Sequence, residues 1–131
     1  MLMGEVIKPR INVEDDKTDR LRMSNGVAPN LVHSVDSAAM IETVNIALDN
    51  GIENFCNVHD SFGTTAADVE VLNKSLREAF IQMFTDNDIL ANFRDDVLKQ
   101  LPEEYKTKLP EVPQKGDLDI NDLRKSEFFF A

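Results

Sequence analysis

The chain has 131 residues, enough for one domain with a modest core. Fourteen Lys and Arg against 24 Asp and Glu leave a net charge of −10, the wrong sign for a domain that holds nucleic acid by itself, since that affinity comes mostly from cations meeting phosphates. One Cys and two His are too few for a structural zinc site, and a single thiol excludes an internal disulfide.

Met1-Leu2-Met3 reads as an ordinary start, without the charged region and apolar run of a signal peptide. No stretch approaches the ~18 apolar residues of a membrane span. Glu5 to Ile11 reads as a short strand, confined to an edge by Pro9, which cannot donate to a ladder. Asn12 to Ser24 is polar and reads as a loop leading into a short helix that Asn25-Gly26 closes. Pro29-Asn30 opens the next helix, on which Met40, Ile41, Val44, Ala47 and Leu48 form an apolar stripe. Gly51 supplies its left-handed stop.

Ile52 to Val58 is strand-like, His59-Asp60-Ser61 is a turn, and Phe62-Gly63-Thr64 starts a return strand, so a β-hairpin is expected here. Cys56, within the first strand, reads as a small core residue and fits a reducing cytoplasm. Thr65 and Asp68 have capping-box spacing, with Asp where Glu or Gln is usual. The helix they open carries Val69, Leu72, Leu76, Ala79, Phe80, Met83 and Phe84 at helical spacing. Asp86-Asn87-Asp88 breaks and recaps it. Ile89, Leu90, Phe93, Val97, Leu98 and Leu101 mark another helix, ended by Pro102. Pro102, Pro110, Pro113 and Gly116 make an extended connector. Asp119 to Arg124 is a short capped helix, and Phe128-Phe129-Phe130-Ala131 follows. The fold class is α+β, one domain over 1–131: edge strand and polar lead-in (1–26), a helix with His33 (27–51), the hairpin (52–65), helices (66–101), then connector and tail (102–131).

Asp60 stands where two backbones turn, open to a cleft, which suits a ligand for a hard divalent cation. From the residues alone an Asx-turn, in which the carboxylate caps its own backbone, is the preferred reading. His59 is no metal signal by itself, because Mg²⁺ prefers oxygen. His33 and Asp36, at i and i+3, share one helix face, and a local hydrogen-bonded pair is the plain alternative. There is no glycine-rich phosphate loop and no Ser-His-Asp set.

Three blocks, Gly26-Val27-Ala28-Pro29-Asn30-Leu31-Val32-His33-Ser34-Val35-Asp36, Val58-His59-Asp60-Ser61-Phe62-Gly63-Thr64 and Phe128-Phe129-Phe130-Ala131, come in an order and spacing that carry a resemblance. Together they resemble the C-terminal palm segment of the single-subunit RNA polymerases of phages and mitochondria, from about Val6 to Ala131. The resemblance implies a partial polymerase palm, with a β-hairpin carrying the catalytic Asp, several packed helices and an extended tail. It implies DNA-directed nucleotidyl transfer from NTPs to an RNA 3′ end with Mg²⁺ as cofactor. Asp60 falls on the family's second metal-binding carboxylate, and the first belongs to an earlier motif that this chain lacks. Two carboxylates clamp two ions ~3.5–4 Å apart, so the chain supplies half a site and is expected to be incompetent alone.

His59 is expected to fix the hairpin or to touch the primer end by a hydrogen bond. Ser61 stands where related DNA polymerases usually carry Glu, which turns the reading towards RNA synthesis. His33 is set against the minor groove of the nascent base pair, with Asp36 beside it. Ala39 departs from the pattern, for relatives often show a second His there. Phe130 and Ala131 would fold back near the active centre. The implied partners are the remainder of the polymerase, which holds the phosphate-gripping surface, together with DNA template, RNA 3′ end and NTPs, and no membrane. The implied location is the cytoplasm of a phage-infected bacterium, with the mitochondrial matrix second. A split subunit, a remnant and an excerpt of a longer protein all remain open. So does a non-catalytic acidic phage protein that keeps the palm scaffold and binds a partner polymerase.

Overall fold

A computed structural model describes residues 16–129. The expected edge strand at Glu5–Ile11 and the final Phe130 and Ala131 lie outside the described residues. The chain divides into two units, Met1–His33 and Ser34–Ala131. Its helices are α1 (Arg20–Asp49), α2 (Val69–Asp86), α3 (Ile89–Gln100), α4 (Glu103–Lys106) and a 3₁₀ helix, Ile120–Arg124.

In the first unit, Asp19 starts α1. Its Oδ1 accepts from the backbone N–H groups of Leu21 and Arg22, both at 3.1 Å, which satisfies two of the donors a helix start leaves orphaned. The helix then runs through Gly26 and Pro29, where a stop and a fresh start were expected. Pro29 denies the Asn25 carbonyl its i+4 donor, yet the surrounding turns hold the helix, so context overrides local propensity here. At 100° per residue, Met23, Val27 and Leu31 fall on one half of α1 with Leu21, Ala28 and Val32, interrupted by Arg20 and Ser24, while Arg22, Asn25 and His33 fall on the other. Leu21, Met23, Val27 and Val32 are all exposed.

In the second unit α1 buries Ala39, Thr43 and Ala47, one residue in each of three successive turns. That face is displaced from the expected stripe, since Ile41 and Leu48 are exposed. Small residues let the neighbouring chain approach closely, and the Thr43 hydroxyl is satisfied by donating to the Ala39 carbonyl at 2.7 Å. Gly51, at φ +90°, ends α1 as expected. The chain turns straight into Ile52, which is 2% exposed and packs with Ala47 and Leu72, flanked by Phe55, Phe62 and Val71. The Asn50 amide donates to Ser75 Oγ at 3.1 Å, and Ser75 Oγ donates to the Val71 carbonyl at 2.9 Å. These bonds fasten the end of α1 to α2.

Helix α2 covers the predicted stripe, burying Leu72, Leu76 and Ala79 but leaving Val69 and Phe84, at its two ends, exposed. Thr65 and Asp68 pair with each other, Thr65 Oγ1 donating to Asp68 Oδ2 at 2.7 Å. Asp68 therefore makes no cap bond to the helix backbone. Asp88 does cap α3, accepting from the Ala91 N–H at 3.2 Å, and Asp119 caps the 3₁₀ helix through the Asn121 N–H at 3.0 Å. The connector carries the unforeseen α4 and lies along α3, where Arg94 holds the Pro110 carbonyl and Glu111 at 3.0 and 2.9 Å.

The α+β expectation is corrected. The described residues are mostly helical and contain no strand, only an isolated antiparallel bridge between Val58 and Ser61. The segments on either side are short of ladder partners. Cys56 N–H donates to the Gly63 carbonyl at 2.9 Å, but the Gly63 N–H turns to the Asn57 side chain at 3.4 Å. Thr64 reaches the Asn54 carbonyl through its hydroxyl, not its backbone. The Asn57 side chain thus takes a donor that a pleated ladder would use. Cys56 is exposed rather than in the core.

Candidate active site

The site is built on one tight turn. Val58 and Ser61 exchange both backbone bonds at 2.9 Å, which pinches His59 and Asp60 into a two-residue loop. His59 has φ +54° and is the only described non-glycine residue with a positive φ. A positive φ at the first central position alone is the sign pattern of a type II′ turn, where Gly is usual. His59 therefore holds a conformation that costs ~1–2 kcal/mol for an L-residue. Gly63 allows the close approach behind the turn, because a Cβ there would lie 2.9 Å from the Cys56 carbonyl oxygen. The result is an exposed Asp60 carboxylate on a short, doubly bonded loop.

Beside it lies a cleft of about 360 Å³, lined by Asp60, Ser61, Phe62, Val69, Leu72, Asn73 and Leu76. The turn supplies Asp60, Ser61 and Phe62 and α2 supplies Val69, Leu72, Asn73 and Leu76, around a volume at the small end of the ~300–1,000 Å³ range of ligand pockets. Among the described residues no three His, Cys, Asp or Glu side chains cluster as a complete metal cage would require. An exposed carboxylate still fits Mg²⁺, which takes one or two protein carboxylates and completes its shell with water and substrate oxygens.

His59, Asp60 and Ser61 are thus brought together. Asp36 is exposed on α1 and does not line this cleft. His33 is exposed on the same helix and belongs to the first unit.

Two residues passed over in the sequence stand out in the structure. Asn73 lines the cleft, and its Oδ1 accepts from Arg77 Nε at 3.0 Å, one turn on along α2. Arg77 is 8% exposed. Its Nη1 donates to the carbonyls of Leu123 and Ser126, the latter at 2.7 Å. Its guanidinium lies 5.4 Å from the centre of the Phe129 ring, which meets Phe80 edge-on at 5.2 Å. Next after Arg77 on α2, Glu78 takes a two-point grip from Arg124 at 2.8 and 2.7 Å. That hydrogen-bonded guanidinium holds the Glu78 carboxyl below its ordinary value. The signal for Arg77 in sequence is a charge among the apolar positions of α2, surrounded by Leu76, Ala79 and Phe80.

The model of the DNA-dependent RNA polymerase family matches residues 3–108. The chain is similar to T7 RNA polymerase of Escherichia phage T7, 40% identical over 134 residues that cover 100% of this chain and 15% of that protein. It is 41% identical over 127 residues to the DNA-directed RNA polymerase of Enterobacteria phage T3, covering 95% of this chain and 14% of that one. It is 36% identical over 117 residues to the mitochondrial DNA-directed RNA polymerase 1 of Arabidopsis thaliana, covering 89% and 12%. The chain thus spans 12 to 15% of the length of these relatives. With four-fifths of it matched by the family model, this chain belongs to the DNA-dependent RNA polymerase family, of which it represents a short segment.

Proposed function

We propose that the chain is the C-terminal palm portion of a DNA-directed RNA polymerase, which extends an RNA 3′ end from NTPs only when joined by the rest of the enzyme. The observation that carries this is Asp60, exposed on a strained two-residue turn at the rim of a cleft, in a chain that aligns over its whole length with phage polymerases. Strained backbone is retained where a function needs it. Asp60 and a second carboxylate from the missing portion would hold Mg²⁺. When bound, Mg²⁺ supplies activation of the 3′-hydroxyl and stabilisation of the leaving pyrophosphate. The chain's own part is positional. The paired backbones of Val58 and Ser61 fix Asp60, and His59 stands next to it at the primer end. Ser61 lines the cleft, and His33 and Asp36 on α1 are assigned to the nascent base pair. The excess negative charge leaves phosphate binding to the rest of the enzyme.

The test is a single-turnover primer extension at saturating Mg²⁺ with the chain assembled with the missing polymerase portion. Asp60→Asn keeps the shape of the side chain and removes its charge, so synthesis should fall ~10³-fold or more while melting is unchanged. Ser61→Ala should be mild. If Asp60→Asn retains more than about a tenth of the wild-type rate, the residue is a turn-former and the metal assignment is wrong.

A further inference from the structure

The cleft beside Asp60 has a donor of its own. An amide oxygen must face the Arg77 N–H, since the reversed amide would set donor against donor. The 3.0 Å bond therefore commits Asn73 Oδ1 to Arg77 and leaves the Asn73 NH₂ as the end available to the cleft. Around the same cavity stand the Asp60 carboxylate, which accepts only, and the Ser61 hydroxyl, which does both. Phe62, Val69, Leu72 and Leu76 supply the apolar floor. A free phosphate would meet the Asp60 charge with only one neutral amide in return. A sugar fits better, because its hydroxyls donate and accept while its C–H face lies on the floor.

We propose that Asn73 binds the 2′-hydroxyl of the RNA 3′-terminal ribose, and that Arg77 is the positioning residue that aims it. This deepens the polymerase reading and rests on it. In that reaction the 3′-hydroxyl is the group presented at Asp60, so the neighbouring 2′-hydroxyl is the one left for Asn73. Arg77 in turn is held by the carbonyls of Leu123 and Ser126 and by the Phe129 ring. The placement of the C-terminal segment thus reaches the cleft through two hydrogen-bonded side chains on α2.

The experiment compares primers ending in a ribonucleotide or a 2′-deoxyribonucleotide, extended by the assembled polymerase, and reads the ratio of their KM values. Wild type should favour the ribose end by about tenfold, the weight of one hydrogen bond. Asn73→Leu keeps the outline of the side chain and offers the 2′-hydroxyl neither donor nor acceptor, so the ratio should fall to about one, while extension of the deoxy primer shows that the assembly is folded. Arg77→Lys should lower the ratio part of the way, with kcat little changed. A wild-type ratio retained in Asn73→Leu, or no preference in wild type, overturns the assignment of Asn73 and leaves the polymerase reading intact. No synthesis by the wild-type assembly overturns both.

Discussion

His59 is the most constrained residue of the turn. A left-handed φ of +54° is easy for Gly and costly for a side chain branched near the backbone. His59→Gly should therefore raise the unfolding free energy by about 1 kcal/mol while removing the imidazole, and His59→Val should lower it by a similar amount. Urea titration of the two variants checks this, and an unchanged midpoint in both would mean that the turn carries no strain. Gly63→Ala should cost ~1–3 kcal/mol, because the obstacle is the Cys56 backbone carbonyl rather than a movable side chain. His59, Asp60 and Ser61 were legible as a turn, since their residue types mark one. The left-handed backbone at His59 was not, because no local pattern calls for a His in a position that Gly ordinarily fills. Asn73 and Arg77 were illegible for a different reason. Their partners are the cleft and a carbonyl 49 residues downstream, and sequence spacing says nothing about either.

At the scale of elements, periodicity located α2 and α3, and capping residues mark the starts of α3 and of the short helix at 120–124, though not that of α2. It failed where a single residue was treated as decisive. Gly26 and Pro29 read as a break, yet α1 continues through both. Ile52 to Val58 reads as a strand, yet the Asn57 side chain takes the Gly63 N–H and only one bridge forms among the described residues. The docking of the 3₁₀ helix on α2 gives a pH test. Arg124 holds the Glu78 carboxyl below its ordinary value, so the pair stabilises fully above the unfolded glutamate pKa of about 4.3 and the gain is lost as pH falls through the lower folded value. Both side chains are about half exposed, so the gain is about 1 kcal/mol or less. Wild type should melt above Glu78→Gln at neutral pH, and the gap should close as pH falls below about 4. Using the gap removes the general relief of charge repulsion that an acidic chain gains on acidification. A gap that persists at low pH would assign the stabilisation to packing.

For the molecule as a whole, the exposed apolar side chains of α1 in the first unit, Leu21, Met23, Val27 and Val32, have to be set against a charge of −10. Surface helices ordinarily bury such a face, and contiguous exposed apolar area marks an interaction surface. The isolated chain should self-associate and take up an apolar dye, and the missing polymerase portion should relieve both. Sedimentation and dye fluorescence of wild type against a Val27→Asp, Val32→Asp double variant test this. A well-dispersed wild-type monomer that binds no dye would count against it. No helix among the described residues is long and apolar enough to cross a membrane.

The anchoring of the tail on Arg77 makes the last residues of this chain unusually expensive to lose. A stop codon after Lys125 would delete only a few residues from the exposed end. It would also strip a buried guanidinium of the Ser126 carbonyl and the Phe129 ring, leaving a charge short of partners inside α2, the kind of defect that costs several kcal/mol. Truncation at the terminus would then be felt as a core mutation.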